Sequence, residues 1–150
     1  MISNELKATI QGAYSRFLEA KSLKPRYGQR LMIAEVAKVL GDIACDDEGR
    51  RAGEPAVVAV EAGTGTGKTV AYALAAIPAA KAAGKRLVIA TATVALQEQI
   101  VFKDLPDLMR NSGLNFSFAL AKGRGRYLCL SKLDVLLQEG HAQTATAQLF

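Results

Sequence analysis

The chain has 150 residues and a mass of 15.9 kDa, half of its residues are apolar, and its formal charge is +5 with an isoelectric point near 9.4. That length suits about one domain with a substantial core, and the modest basic excess is compatible with a polyanionic partner without requiring one. Two cysteines exclude a disulfide scaffold, while the lack of a basic-then-apolar leader and of any apolar run near ~18 residues argues against secretion and membrane insertion, so a soluble protein of the reducing cytoplasm with no membrane partner is expected.

In chain order, Leu6, Ile10, Ala13 and Phe17 recur at helical spacing, and Met32, Val36, Val39 and Leu40 repeat the pattern. Two leading helices are predicted, with Pro25 and Gly28 between them and the second starting close to Gln29. Residues 45–55 are charged and rich in breakers and read as a surface loop. The apolar run at residues 56–61 predicts a first strand. An alanine-rich helix follows, kinked by Pro78 and ending near Gly84 as its C-cap. Residues 87–90 read as a second, buried strand, residues 95–102 as a further helix, Asp104-Leu105-Pro106 as a turn or helix restart, and residues 116–121 as a third strand. The alternation predicts an α/β fold: a P-loop, doubly wound parallel sheet flanked by helices. Ligands in such sheets bind at the carboxyl ends of the strands, so the loops after Glu61, Ala90 and Ala121 are expected to share one edge.

Between the first strand and its helix lies Ala62-Gly63-Thr64-Gly65-Thr66-Gly67-Lys68-Thr69. A triphosphate needs a concave ring of backbone N–H groups free of Cβ atoms, which the three glycines permit. Lys68 reaches the β/γ-phosphates, Thr69 offers a hydroxyl to Mg²⁺, and the helix starting there directs its positive end at the anion. Mg-ATP or another Mg-nucleotide is the expected ligand. The first position of the G-x-x-x-x-G-K-[ST] pattern is Ala62, a departure that many ATPases share.

Three further segments carry a resemblance. Arg26-Tyr27-Gly28-Gln29 is similar to the adenine-recognising Q motif of superfamily 2 helicases; a glutamine amide pairs in bidentate fashion with adenine, and an adjacent guanidinium or aromatic plane stacks on the base. A helix-start residue with no ligand is the plainer reading of Gln29. The segment from Ala90 to Ile100 resembles helicase motif Ia, which implies single-stranded DNA phosphate contacts from Thr91 and Thr93, with Gln97 and Gln99 behind them; Thr93 equally suits a helix N-cap. Lys122-Gly123-Arg124-Gly125-Arg126-Tyr127-Leu128-Cys129 resembles the segment that carries the first cluster cysteine in iron–sulfur helicases of the DinG/XPD type.

Taken together, over residues 25–133, the chain resembles that family. The resemblance implies a partial first RecA-like motor domain at residues 25–121, preceded by an N-terminal helix at residues 1–24 and followed from residue 122 by the start of a cluster domain. It implies Cys129 as one thiolate of a [4Fe-4S] cluster that needs four, with the others beyond this sequence, and Arg124 and Arg126 as DNA-phosphate contacts; a free cysteine and a solvated basic loop are the plainer readings. Cys45 is left without a role. The DEAH-type box and the arginines of a second motor domain do not occur here, so the chain is expected to be an N-terminal piece of a monomeric helicase that unwinds DNA 5′ to 3′ in repair or replication and is inactive by itself. The competing readings are a small P-loop kinase or other NTPase that ignores DNA, and a non-catalytic nucleic-acid-binding module.

Overall fold

The computed structural model describes residues 2–138, which form two compact units, one ending at Phe118 and one beginning at Ala119. Among the described residues no helix is long and apolar enough to cross a membrane.

In the first unit, α1 (Asn4–Ala20) starts at Ser3, whose hydroxyl accepts from the Leu6 N–H at 3.1 Å, so one of the orphan donors of the first turn is satisfied. It ends with Ser22 in the left-handed region (φ 52°) and the Leu23 N–H returning to the Leu18 carbonyl at 2.9 Å, a Schellman closure. Helix α2 (Tyr27–Gly41) follows the extended Arg26 and begins two residues earlier than the sequence predicts.

Helix α3 (Lys68–Ala82) is the centre of this unit, and both α1 and α2 pack on it. Ala71, Ala73, Leu74 and Ala75 have no exposed surface, and a helix that is apolar almost all round belongs inside. Its one-carbon side chains let the neighbouring helices approach closely. The helix runs unbroken through Pro78, although the ring removes one i→i−4 bond, and closes where predicted: Gly84 takes φ 62° and the Lys85 N–H bonds the Ala80 carbonyl at 2.8 Å.

The predicted helix at residues 95–102 is longer and composite. Helix α4 (Val94–Gln99) passes through a π-helical turn (Ile100–Asp104) into α5 (Leu105–Asn111), which confirms the restart at Leu105. The cause is Pro106, whose missing N–H and bulky ring oppose a regular i→i−4 turn; the wider π turn accommodates both. Lys21, at the end of α1, pairs with Asp107 of α5 at 3.0 Å, and Arg16 Nε donates to the Ser112 carbonyl at 3.0 Å. The core thus joins Ile10, Phe17, Met32, Leu74, Ile100 and Leu108.

The expected parallel sheet is not formed among the described residues. Residues 56–61, 87–90 and 116–121 form no strand, and among the described residues the only β pairing is an isolated bridge between Cys45 and Arg51. Val57 is 82% exposed and Val88 85%, whereas Ile89 and Phe116 pack against the core. Parallel strands are stable when both faces are covered. The helices described here leave the Val57 and Val88 side bare, and the apolar segments lie unpaired.

The surface loop at residues 45–55 is as expected: Asp46 accepts from the N–H groups of Glu48 and Arg50, and Arg50 pairs with both acids. In the second unit, Arg124–Arg126 form a single 3₁₀ turn and α6 spans Leu130–Gln138. The end of the expected cluster-domain segment, residues 139–150, lies outside the described residues.

Candidate nucleotide site

The loop from Ala62 to Thr69 has a phosphate-binding geometry before any ligand is considered. Gly65 and Gly67 both take φ 76°, a conformation that an L side chain resists. Gly67 is also the N-cap of α3, and a Cβ there would collide with the Gln29 amide. Lys68 folds back so that Nζ donates to the Ala62 carbonyl at 2.7 Å and the Gly63 carbonyl at 2.9 Å, and Thr66 Oγ1 donates to Gly63 at 2.9 Å. Among the described residues the N–H groups of Gly63, Gly65, Gly67 and Lys68 meet no protein acceptor. Free amide donors, an ammonium at the mouth and the first turn of a buried fifteen-residue helix make an anion cradle. These residues fit the phosphates of a nucleotide. Thr64 is exposed, and Ala62, at the foot of the loop, packs against the core.

The second helix braces this loop. Arg26 Nη1 donates to the Gly65 carbonyl at 2.6 Å, and Gln29 Nε2 donates to the Gly67 carbonyl at 3.3 Å. Gln29 is buried, and its Oε1 accepts from the Tyr14 hydroxyl at 3.0 Å. The two residues singled out for the base therefore meet the phosphate loop itself. A cavity of about 430 Å³ borders the loop between α2 and residues 58–62, with Gly28, Glu35, Val58 and Thr66 in its wall. A larger one of about 930 Å³ lies between α1 and α2 and includes no phosphate-loop residue, so its size says nothing about the nucleotide.

Thr69, the expected Mg²⁺ ligand, lies one turn before Tyr72 on α3. Burial pushes the Tyr72 phenol above its ordinary value, the Thr69 side chain acts in the opposite direction, and the Asp104 carboxylate adds to the rise. Asp104 in turn accepts from Gln99 Nε2 at 3.2 Å. Tyr14, Tyr72 and Asp104 escaped sequence reasoning. Tyr14 and Tyr72 look like ordinary amphipathic-helix positions, and no local pattern reports a contact across fifteen residues such as Tyr14 to Gln29.

Thr93 is the N-cap of α4, its Oγ1 accepting from the Leu96 N–H at 3.2 Å, while Thr91 Oγ1 donates to the Thr93 carbonyl at 3.1 Å. Gln97 is half-buried on α4. In the second unit, Arg124 and Arg126 are exposed on the 3₁₀ turn, and the Tyr127 hydroxyl closes that loop by accepting from the Lys122 N–H at 2.8 Å. Cys129 is free and exposed at the start of α6, and Cys45 is free and exposed as well. Among the described residues no group of three or more metal-ligating side chains occurs. Two cysteines do not make the four-thiolate set of a [4Fe-4S] cluster, so the residues present do not fit that group by themselves.

Residues 48–143 match the DEAD/DEAH box helicase family. Similar proteins include the ATP-dependent DNA helicase DinG of Photobacterium profundum, 40% identical over 97% of this chain and 20% of its own length. Those of Escherichia coli, at 43%, and Salmonella typhimurium, at 42%, each match 87% of this chain and 17% of their own length. The chain thus spans about a fifth of these relatives.

Proposed function

Because this chain belongs to the DEAD/DEAH box helicase family, we propose that it is the nucleotide-binding part of an ATP-dependent DNA helicase of the DinG type. The observation that carries the reading is the preorganised loop: left-handed Gly65 and Gly67, unpaired amide donors, and Lys68 held at the mouth by two carbonyls. Mg-ATP, when bound, supplies the phosphoanhydride whose hydrolysis drives movement. In this chain Lys68 exchanges its two carbonyl contacts for phosphate oxygens, the loop amides hold the anion, and Thr69 turns its hydroxyl oxygen to the Mg²⁺ ion. Arg26 and Gln29 brace the loop through the Gly65 and Gly67 carbonyls, and adenine recognition is their proposed further role.

Single-stranded DNA is the proposed partner, with Thr91, Thr93, Gln97, Arg124 and Arg126 contacting its phosphates. Cys129 contributes one thiolate to a [4Fe-4S] cluster, and its exposure at a helix start is compatible with that role. The segments at residues 56–61, 87–90 and 116–121 become strands of the family's parallel sheet when their bare apolar faces are covered. The domain reading follows: a leading helix to residue 24, motor-domain elements over residues 25–121 and a cluster segment from residue 122, in a protein that works as a cytoplasmic monomer with 5′-to-3′ polarity.

The test is ATP hydrolysis by the whole protein that carries this chain, with and without single-stranded DNA, beside Lys68→Ala. Stimulation by DNA is expected, and the variant should lose ~10–100-fold in Mg-ATP affinity, the worth of a charge-assisted contact to phosphate. Hydrolysis indifferent to DNA would instead favour a P-loop enzyme acting on something else.

A further inference from the structure

The brace on the phosphate loop depends on a side chain that belongs to neither motif. Tyr14 lies on α1, buried, with its hydroxyl between the two bracing residues: it accepts from the Arg26 N–H in a long contact of 3.4 Å and donates to Gln29 Oε1 at 3.0 Å. The chemistry of each neighbour leaves one arrangement. A backbone N–H only donates, so the phenol oxygen accepts there and its single proton is directed to Gln29. The Gly67 carbonyl only accepts, so the Gln29 –NH₂ must be the group that faces it, at 3.3 Å. Both constraints give the amide the same orientation. Without the hydroxyl, Gln29 Oε1 is a buried acceptor with no donor, and the long 3.3 Å bond to the Gly67 carbonyl is all that still orients the amide.

We propose that Tyr14 is a positioning residue for nucleotide binding: its hydroxyl orients the Gln29 amide, so that Gln29 holds the Gly67 carbonyl and keeps the loop amides aimed at the phosphates. The effect acts through Gln29 and not through contact with the nucleotide. The proposal rests on the reading of the loop as a Mg-ATP site.

Direct titration of the protein with Mg-ATP bearing a fluorescent ribose label tests it, using wild type, Tyr14→Phe, Gln29→Ala, the double variant and Lys68→Ala. Tyr14→Phe keeps the ring and its packing and is expected to weaken binding ~5-fold, as for one net hydrogen bond, with no further loss when introduced into Gln29→Ala. A role limited to core packing would give the same loss in both backgrounds. If Tyr14→Phe binds as wild type, or if its loss persists undiminished in Gln29→Ala, the positioning role is overturned while the loss in Lys68→Ala still upholds the nucleotide site. Should wild type fail to bind, or Lys68→Ala bind equally well, the nucleotide reading fails and takes the positioning role with it. Gln29→Glu covers the case in which Tyr14→Phe does not fold: it keeps an acceptor for Tyr14 but turns a carboxylate oxygen to the Gly67 carbonyl, so binding at least ~5-fold weaker is expected, and wild-type binding would overturn the proposal.

Discussion

Tyr72 follows Thr69, the candidate Mg²⁺ ligand, by one helical turn, so a titratable phenol stands on the same side of α3. Burial is the largest cause of its shift, so the fold favours the protonated form and raises the folded pKa above the ordinary 10.0. The sign follows from proton binding: the folded state retains its proton at a pH where the unfolded chain has released it. The associated stability is fully present below the unfolded value and is lost as pH rises through the folded one. Tyr72→Phe should therefore flatten the alkaline loss of stability between about pH 9 and about pH 11, read as urea midpoints at each pH. An unchanged slope would mean that this phenol is not the group responsible. Gln29 carries a different lesson at this scale. Its sequence context suggests either a base reader or a helix-start residue, and its geometry adds a third role, because both ends of its amide are already engaged by Tyr14 and Gly67.

Among the elements, α3 does most to position the site, since its first turn is the phosphate cradle and its body is the core. Leu74 is fully buried on it, and Leu74→Ala should cost ~2–5 kcal/mol in chemical denaturation. Gly84 ends the same helix at φ 62° with open space where a Cβ would stand, so Gly84→Ala should cost only the left-handed conformational penalty of ~1–2 kcal/mol. If the two variants lost equal stability, the helix would not be anchored through its buried face. The composite helix from Val94 to Asn111 shows how a local rule becomes geometry. Pro106 is visible in the sequence as a breaker, yet the observed result is a π turn, because Ile100, Leu105 and Leu108 are all buried and hold both halves against the core.

For the whole molecule, the contrast is between a packed helical core and apolar segments without strand partners. Val57 and Val88 stand 82% and 85% exposed, while Leu74 and Leu108 are fully buried. Amide hydrogen exchange should reflect this directly: residues 56–61 and 87–90 should exchange nearly as fast as an unfolded chain, and the middle of α3 should exchange slowest. Slow exchange at residues 56–61 would show that these amides are paired. Such bare apolar segments invite pairing with other chains, so association that rises with concentration is the accompanying expectation.

The first three helices, their caps and the turns of the phosphate loop were determined by the sequence alone, because each depends on interactions within a few residues. Ser3 caps its own first turn, Gly84 closes the helix just before it, and the three glycines ahead of Lys68 leave few other conformations for the loop. Tertiary structure decided what depends on distant partners. It set Tyr14 against Gln29 and Arg26 against Gly65, contacts that no short window of sequence contains. It also decided the fate of the strands. The pattern at residues 56–61 and 87–90 reports a capacity for burial, but a strand exists only where another backbone meets its N–H and C=O groups and other side chains cover its faces.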